Sequence, residues 1–223
     1  MLMNIVSYST SDQAAREQNL RIAFYWAVSF AVGLWLIKVV EVAFGLDFGR
    51  FGVSPGQLDG LDGILFAPLI HGSWSHLASN TPPIIVLGTA LLYGYPRAAK
   101  IALPVLYLGT EIGVWLFARE TSHYGASGLS FGMMFFVFTI GALRWDRQAI
   151  ALSMIVFFLY GSMIWGLFPH DPTISFETHL SGACLGVLLA VYSRKLDPTP
   201  VEKRYSWEDE ETENDDDISW HEQ

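Results

Sequence analysis

The chain has 223 residues, 52% of them hydrophobic and only 16% charged, with a mean hydropathy of +0.34. Soluble domains of this length carry more charge and shorter apolar runs, so an ordinary soluble globular fold is excluded. The net charge of −9 is local: residues 202–223 hold ten acids and two bases, the remainder is close to neutral, and nothing resembles a basic nucleic-acid face. The first twenty residues are polar and mixed in charge, without the basic start, short apolar core and cleavage site of a signal peptide. Cys184 is the single cysteine, so no intrachain disulfide can form.

Several apolar runs reach the ~20 residues needed to cross a hydrocarbon core, and the pattern predicts an all-α membrane protein, a six-transmembrane helical bundle. Span one covers 21–44, with Lys38 and Glu41 near its far end as an i,i+3 pair able to snorkel to the interface. Residues 45–75 form a long Gly- and Asp-rich connection, within which Ile64 to Ile70 is too short to span and reads as interfacial or re-entrant. Spans two to six follow at 76–95, 98–117, 127–143, 149–168 and 176–192. Pro82 and Pro83 lack backbone donors, so span two is expected to begin late or bend there. Three regions result: a segment 1–20, the six-span unit 21–195, and an acidic tail 196–223 too polar to fold alone. Trp207, Ile218 and Trp220 interrupt the acids of that tail.

Lysines and arginines set the orientation. With the N-terminus inside, Arg16, Arg21, Arg97, Lys100, Arg144, Arg147, Arg194, Lys195, Lys203 and Arg204 share the cytoplasmic side, and only Arg50 and Arg119 fall opposite. Both termini are expected in the cytoplasm. His76, Ser127 and His179, on spans two, four and six, then all lie near the outer face.

Helical spacing supports a site at that level. His179, Gly182 and Gly186 fall at i, i+3 and i+7 on one face of span six, where the glycines allow close approach of another backbone. Ser127, Phe131 and Met134 share a face of span four, so Ser127 and His179 can meet if the two spans cross along these faces. His76 and Asn80, at i and i+4, can aim two donors at one point. Serine attacks only when a base takes its proton, and the oxyanion that forms needs preorganised donors. His179 can serve as base, with Asn80, His76 and the Ser127 N–H as donors. The N-terminus of span four adds its positive dipole end.

The segments HGSWSHLASN (71–80), GASGLSFG (125–132) and THLSGACLG (178–186) resemble, in order and spacing, the signature motifs of rhomboid intramembrane serine proteases. The resemblance covers roughly residues 20–195. It implies a catalytic dyad of Ser127 and His179 with no acidic third member, oxyanion stabilisation by His76 and Asn80, and ring packing of Phe131 on the histidine. Gly125 and Gly128 belong to the same motif as Ser127. A partly embedded connection after span one is also implied. The Trp-Arg pair common in that connection is absent, Gly49-Arg50-Phe51 being the nearest feature.

The expected activity is cleavage of single-span or other transmembrane substrates within the bilayer near the outer face, in a bacterial inner (plasma) membrane, with no cofactor and no metal. Two other classes compete: an idle relative that binds membrane clients, and a small transporter with His76, Glu111 and His179 along a polar path. His71 reads as structural or interfacial. Its i,i+5 spacing from His76, with no carboxylate cluster, makes a metal site a poor fit. Glu177 reads as a rim charge, and Glu111, inside span three, has no assigned role.

Overall fold

A computed structural model describes residues 10–169, 171 and 174–198, with side chains described from residue 15. The acidic run of the tail, with Trp207, Ile218 and Trp220, lies outside the described residues. The described residues form seven α-helices in chain order: α1 (Thr10–Ala43), α2 (Gly63–Phe66), α3 (Trp74–Gly94), α4 (Pro96–Phe117), α5 (Ser127–Arg144), α6 (Arg147–Tyr160) and α7 (Phe176–Ser193). Among the described residues the only β pairing is one antiparallel bridge, Val53 with His123. Among the described residues, four stretches are long and apolar enough to cross a membrane by length and composition: Ala15–Ala43, Pro96–Phe117, Ser127–Arg144 and Arg147–Leu167.

Helix α5 is the hub. It packs against α3, α4, α6 and α7, its contact with α7 being the most extensive. Leu129, Phe131, Met133, Met134, Phe136, Val137 and Ile140 are all buried, as expected of a helix that is apolar on every face. The outer helices invert the soluble pattern. On α1 the stripe Ala23, Ala27, Ala31 and Leu34 is buried, small side chains bringing α1 close to α3, while Trp26 and Leu36 point outward. Phe158 on α6 and Leu188 on α7 are likewise exposed, an arrangement suited to lipid rather than water.

Local rules yield to neighbours at three places. Helix α3 starts at Trp74, capped by Ser73 Oγ accepting from the His76 N–H, and runs unbroken through Pro82 and Pro83. Of the two outcomes expected from the prolines, a late start or a bend, the late start does not occur. Side-chain hydroxyls and a neighbouring helix support the turn before them: Thr81 Oγ1 donates to the Leu77 carbonyl and accepts from Trp35 Nε1 on α1. Second, the fifth apolar run is not one α-helix to Phe168. Helix α6 ends at Tyr160, and a 3-10 helix, Gly161–Leu167, completes it. Third, the Lys38–Glu41 pair does not snorkel. Its atoms are 2.7 Å apart, both side chains are about nine-tenths buried, and Glu41 also accepts from the Phe48 N–H.

The long connection after α1 is built of short helical turns, Gly49–Phe51, Leu58–Gly60, α2 and Ala67–Leu69. The expected interfacial segment 64–70 thus forms α2 and the turn after it. This connection is fastened to α4 by Trp115 Nε1 donating to the Gln57 carbonyl and Tyr107 Oη donating to the Leu65 carbonyl. At the opposite end of the bundle the chain closes on itself. Asp197 is 6% exposed and its carboxylate accepts from the backbone N–H groups of Arg97 and Ala98, at 2.8 and 3.0 Å, capping α4. Arg144 donates to the carbonyls of Asp197 and Pro198. Contacts with the bundle thus reach Asp197 and Pro198.

Candidate active site

The site sits where α5 and α7 begin. Gly125 has φ of +127°, a conformation that favours glycine, and a Cβ there would lie 2.8 Å from Cε1 of His76. The chain turns through Gly125 and Ala126 into α5, whose first residue is Ser127. The first N–H groups of a helix have no intrahelical acceptor, so those beside Ser127 are available as donors.

Helix α7 reaches this point because both helices carry glycines at the crossing. A Cβ on Gly182 would overlap the Gly128 carbonyl oxygen, and one on Gly186 would overlap that of Gly132. Gly128 is packed as tightly, a Cβ there lying 2.6 Å from Thr110 Cγ2 and 2.7 Å from Thr178 Cγ2. The backbones touch, and His179 Nε2 comes to 2.9 Å from Ser127 Oγ.

The other edge of the His179 ring decides its chemistry. Nδ1 is 2.9 Å from the Gly166 carbonyl oxygen, in the 3-10 segment after α6. A carbonyl only accepts, so Nδ1 bears the hydrogen, and in the neutral ring the Nε2 lone pair faces the serine. The ring of Phe131 stacks face to face with His179, centroids 4.1 Å apart and planes 5° from parallel. Gly166 is held to glycine by this arrangement: a Cβ would lie 2.9 Å from Phe131 Cζ and 3.1 Å from His179 Nδ1. No feature of the sequence singled out Gly166, because an apolar run does not distinguish an α-helix from a 3-10 turn.

His76 is half-buried and its ring lies against Gly125. Asn80 is buried on the next turn, and one hydrogen of its Nδ2 goes to the His76 carbonyl at 2.9 Å, leaving a second hydrogen to donate. His71 is 2% exposed and packs edge-on against His76, with centroids 5.0 Å apart. Its Nε2 accepts from the Ala126 N–H at 3.4 Å, so it braces the turn before Ser127. Burial, with the neighbouring His76 as a smaller contribution, lowers its pKa to about 4. Glu177 is ion-paired with Arg119 at 3.3 Å. Glu111 is 2% exposed on α4, and its Oε2 is without a hydrogen-bond partner.

A protein-family model, the Rhomboid domain, matches residues 60–196, more than half of the chain and all of the segments just described. The chain belongs to the rhomboid family. This rhomboid is 33% identical over 172 residues to an uncharacterised protein of Mycobacterium tuberculosis, covering 73% of the chain and 72% of that protein. A Mycobacterium leprae protein, also uncharacterised, is 28% identical over 198 residues, or 83% and 77% of the two chains. RHOMBOID-like protein 2 of Arabidopsis thaliana is 28% identical over 145 residues, 62% of this rhomboid and 42% of the plant protein.

Proposed function

We propose that this rhomboid is an intramembrane serine endopeptidase in which Ser127 is the nucleophile and His179 the general base. The observation that carries the reading is the ring of His179, with its Nδ1 hydrogen committed to the Gly166 carbonyl and its Nε2 lone pair 2.9 Å from Ser127 Oγ. That carbonyl fixes the tautomer and the ring direction, the service a carboxylate performs in a triad. As Ser127 Oγ attacks a substrate carbonyl, Nε2 takes its proton and later passes it to the leaving amine. Negative charge on the tetrahedral oxygen is met by the Ser127 N–H at the α5 N-terminus, the second Asn80 hydrogen and His76. Water then hydrolyses the acyl-enzyme, with His179 again as base.

The bundle spans the bilayer six times in this reading, α3 and α7 crossing with the four more apolar stretches. Both termini are cytoplasmic and the dyad lies toward the outer face of a bacterial plasma membrane. Substrates are transmembrane segments that enter sideways from the bilayer and unwind to offer an extended backbone to Ser127.

The test is labelling of purified protein with a fluorophosphonate, with the adduct located by mass spectrometry, beside cleavage of a single-span substrate by wild type and Ser127→Ala. The expected result is an adduct on Ser127 and loss of cleavage in the variant. An unlabelled Ser127, or cleavage untouched by its removal, refutes the proposal.

A further inference from the structure

His123 has no part in the dyad, yet three pieces of this end of the bundle converge on it. Its backbone N–H and C=O pair with Val53 at 2.9 and 2.8 Å, joining the 118–126 connection to the loop after α1. Its side chain is buried and bonded along both edges. Nε2 lies 3.0 Å from the Arg119 carbonyl oxygen, with Thr121 Oγ1 at 3.2 Å, and Nδ1 lies 2.6 Å from Ser175 Oγ. Since the carbonyl only accepts, Nε2 bears the hydrogen, and in the neutral ring Nδ1 accepts from the Ser175 hydroxyl. Ser175 Oγ in turn accepts from the Thr178 hydroxyl at 2.7 Å and the Thr178 N–H at 3.3 Å. Ser175 is the N-cap of α7, and its own carbonyl accepts from the His179 N–H at 3.4 Å.

The two dyad residues are carried by separate segments. Ser127 follows His123 by four residues, and His179 follows Ser175 by four. No short covalent path joins them, so their spacing rests on contacts between the segments. On the inner side of the dyad these are the glycine crossings of α5 and α7. On the outer side, the bond from Ser175 to His123 is the buried tie between the two segments. The Arg119–Glu177 ion pair runs beside it, but the Arg119 side chain is 36% exposed, and a partly solvated pair holds geometry weakly.

We infer that His123 is a positioning residue: through the Ser175 hydroxyl it sets the first turn of α7, and with it the His179 ring, relative to the segment bearing Ser127. The inference rests on the dyad reading. Without this tie, the outer end of α7 is held to the 118–126 connection through the partly exposed Arg119 side chain, which pairs with Glu177, donates to the Ile174 carbonyl at 2.8 Å and lies over the Phe176 ring. Misplacement of reacting groups by about 1 Å can cost ~10² in rate, so the expected loss in kcat is about ten- to a hundredfold. Substrate binding, made along other surfaces, stays as it was.

The experiment is steady-state cleavage of a single-span substrate in detergent, at a temperature well below each variant's unfolding, by His123→Ala, His123→Asn, His123→Gln, Ser175→Ala and the double variant His123→Ala/Ser175→Ala. Asparagine can place an acceptor where Nδ1 stands, whereas glutamine reaches only toward Arg119. The expected result is a lower kcat with unchanged KM in His123→Ala, His123→Gln and Ser175→Ala. Recovery is expected in His123→Asn, and the double variant should be no worse than the worse single one. A wild-type kcat in His123→Ala, additive losses in the double variant, or asparagine no better than glutamine overturns the inference. Should His123→Ala fail to fold, Ser175→Ala and the asparagine–glutamine comparison still decide. Cleavage indifferent to Ser127→Ala would sink the dyad and this inference together. Ser127-dependent cleavage that His123→Ala leaves intact sinks this inference alone.

Discussion

Replacing Gly182 by alanine adds one methyl group at the closest approach of α5 and α7. The new Cβ would overlap the Gly128 carbonyl oxygen and lie 2.9 Å from its carbon and 3.3 Å from its Cα. Carbon atoms rest at ~3.5–4.0 Å, so relieving these contacts separates the helices by roughly 1 Å. Both obstructed residues adjoin the dyad: Gly128 follows Ser127 directly, and Gly182 is one turn beyond His179. The 2.9 Å bond between Ser127 and His179 would then stretch toward a distance at which no hydrogen bond remains. A loss of about 10² in kcat follows, with a stability cost of ~1–3 kcal/mol for overpacking. The assay is kcat and KM on a single-span substrate together with thermal unfolding. The control is Leu188→Ala, whose parent side chain is 65% exposed on the outer face of α7. A Gly182→Ala protein that keeps wild-type kcat would show that the glycine crossing does not set the dyad.

Gly166→Ala should push the stacked rings of Phe131 and His179 and lower the rate of fluorophosphonate labelling by about tenfold or more, with little change in unfolding temperature; labelling at the wild-type rate would show that the space left by Gly166 does not set the position of the His179 ring. His71, held near pKa 4 in the fold against 6.5 when unfolded, stabilises the protein fully above about pH 6.5 and loses that contribution as pH falls toward 4. The slope is at most ~1.4 kcal/mol per pH unit, so unfolding temperatures of wild type should drop across this window and those of His71→Gln should drop less; parallel curves would refute it. Lys38→Met leaves Glu41 buried without its cation and should cost about 3–5 kcal/mol in unfolding measurements, whereas Lys38→Met with Glu41→Met should cost distinctly less. Equal losses in the two proteins would mean that the pair is not electrostatically coupled.

The helical architecture was legible because long apolar runs have few solutions. The approach of Ser127 to His179 was legible because glycines at helical spacing mark where backbones can touch. The rest depended on information that no local pattern carries. Pro82 and Pro83 obey the neighbours of α3 rather than the rule for an isolated helix. Gly166 acts through its carbonyl, a group every residue possesses, so its identity matters only for the space it leaves. His123 lies in a connection without periodicity, and its partner Ser175 is fifty-two residues away. Glu41 also accepts from the Phe48 N–H in the loop after α1, a contact that the spacing of Lys38 and Glu41 on α1 does not reveal.

The cap that Asp197 places on α4 bears on how the protein is made. Helix α4 begins at Pro96, and the carboxylate that satisfies its first free N–H groups is synthesised about a hundred residues later. Until then those amides must be served by water, and Arg144 has yet to meet the carbonyls of Asp197 and Pro198. The end of the bundle away from Ser127 and His179 is thus latched by Asp197 and Pro198. A chain cut short before Asp197 would retain every residue of the dyad and its supports while α4 stayed unlatched, so completeness of synthesis is written into the fold at the end farthest from the chemistry.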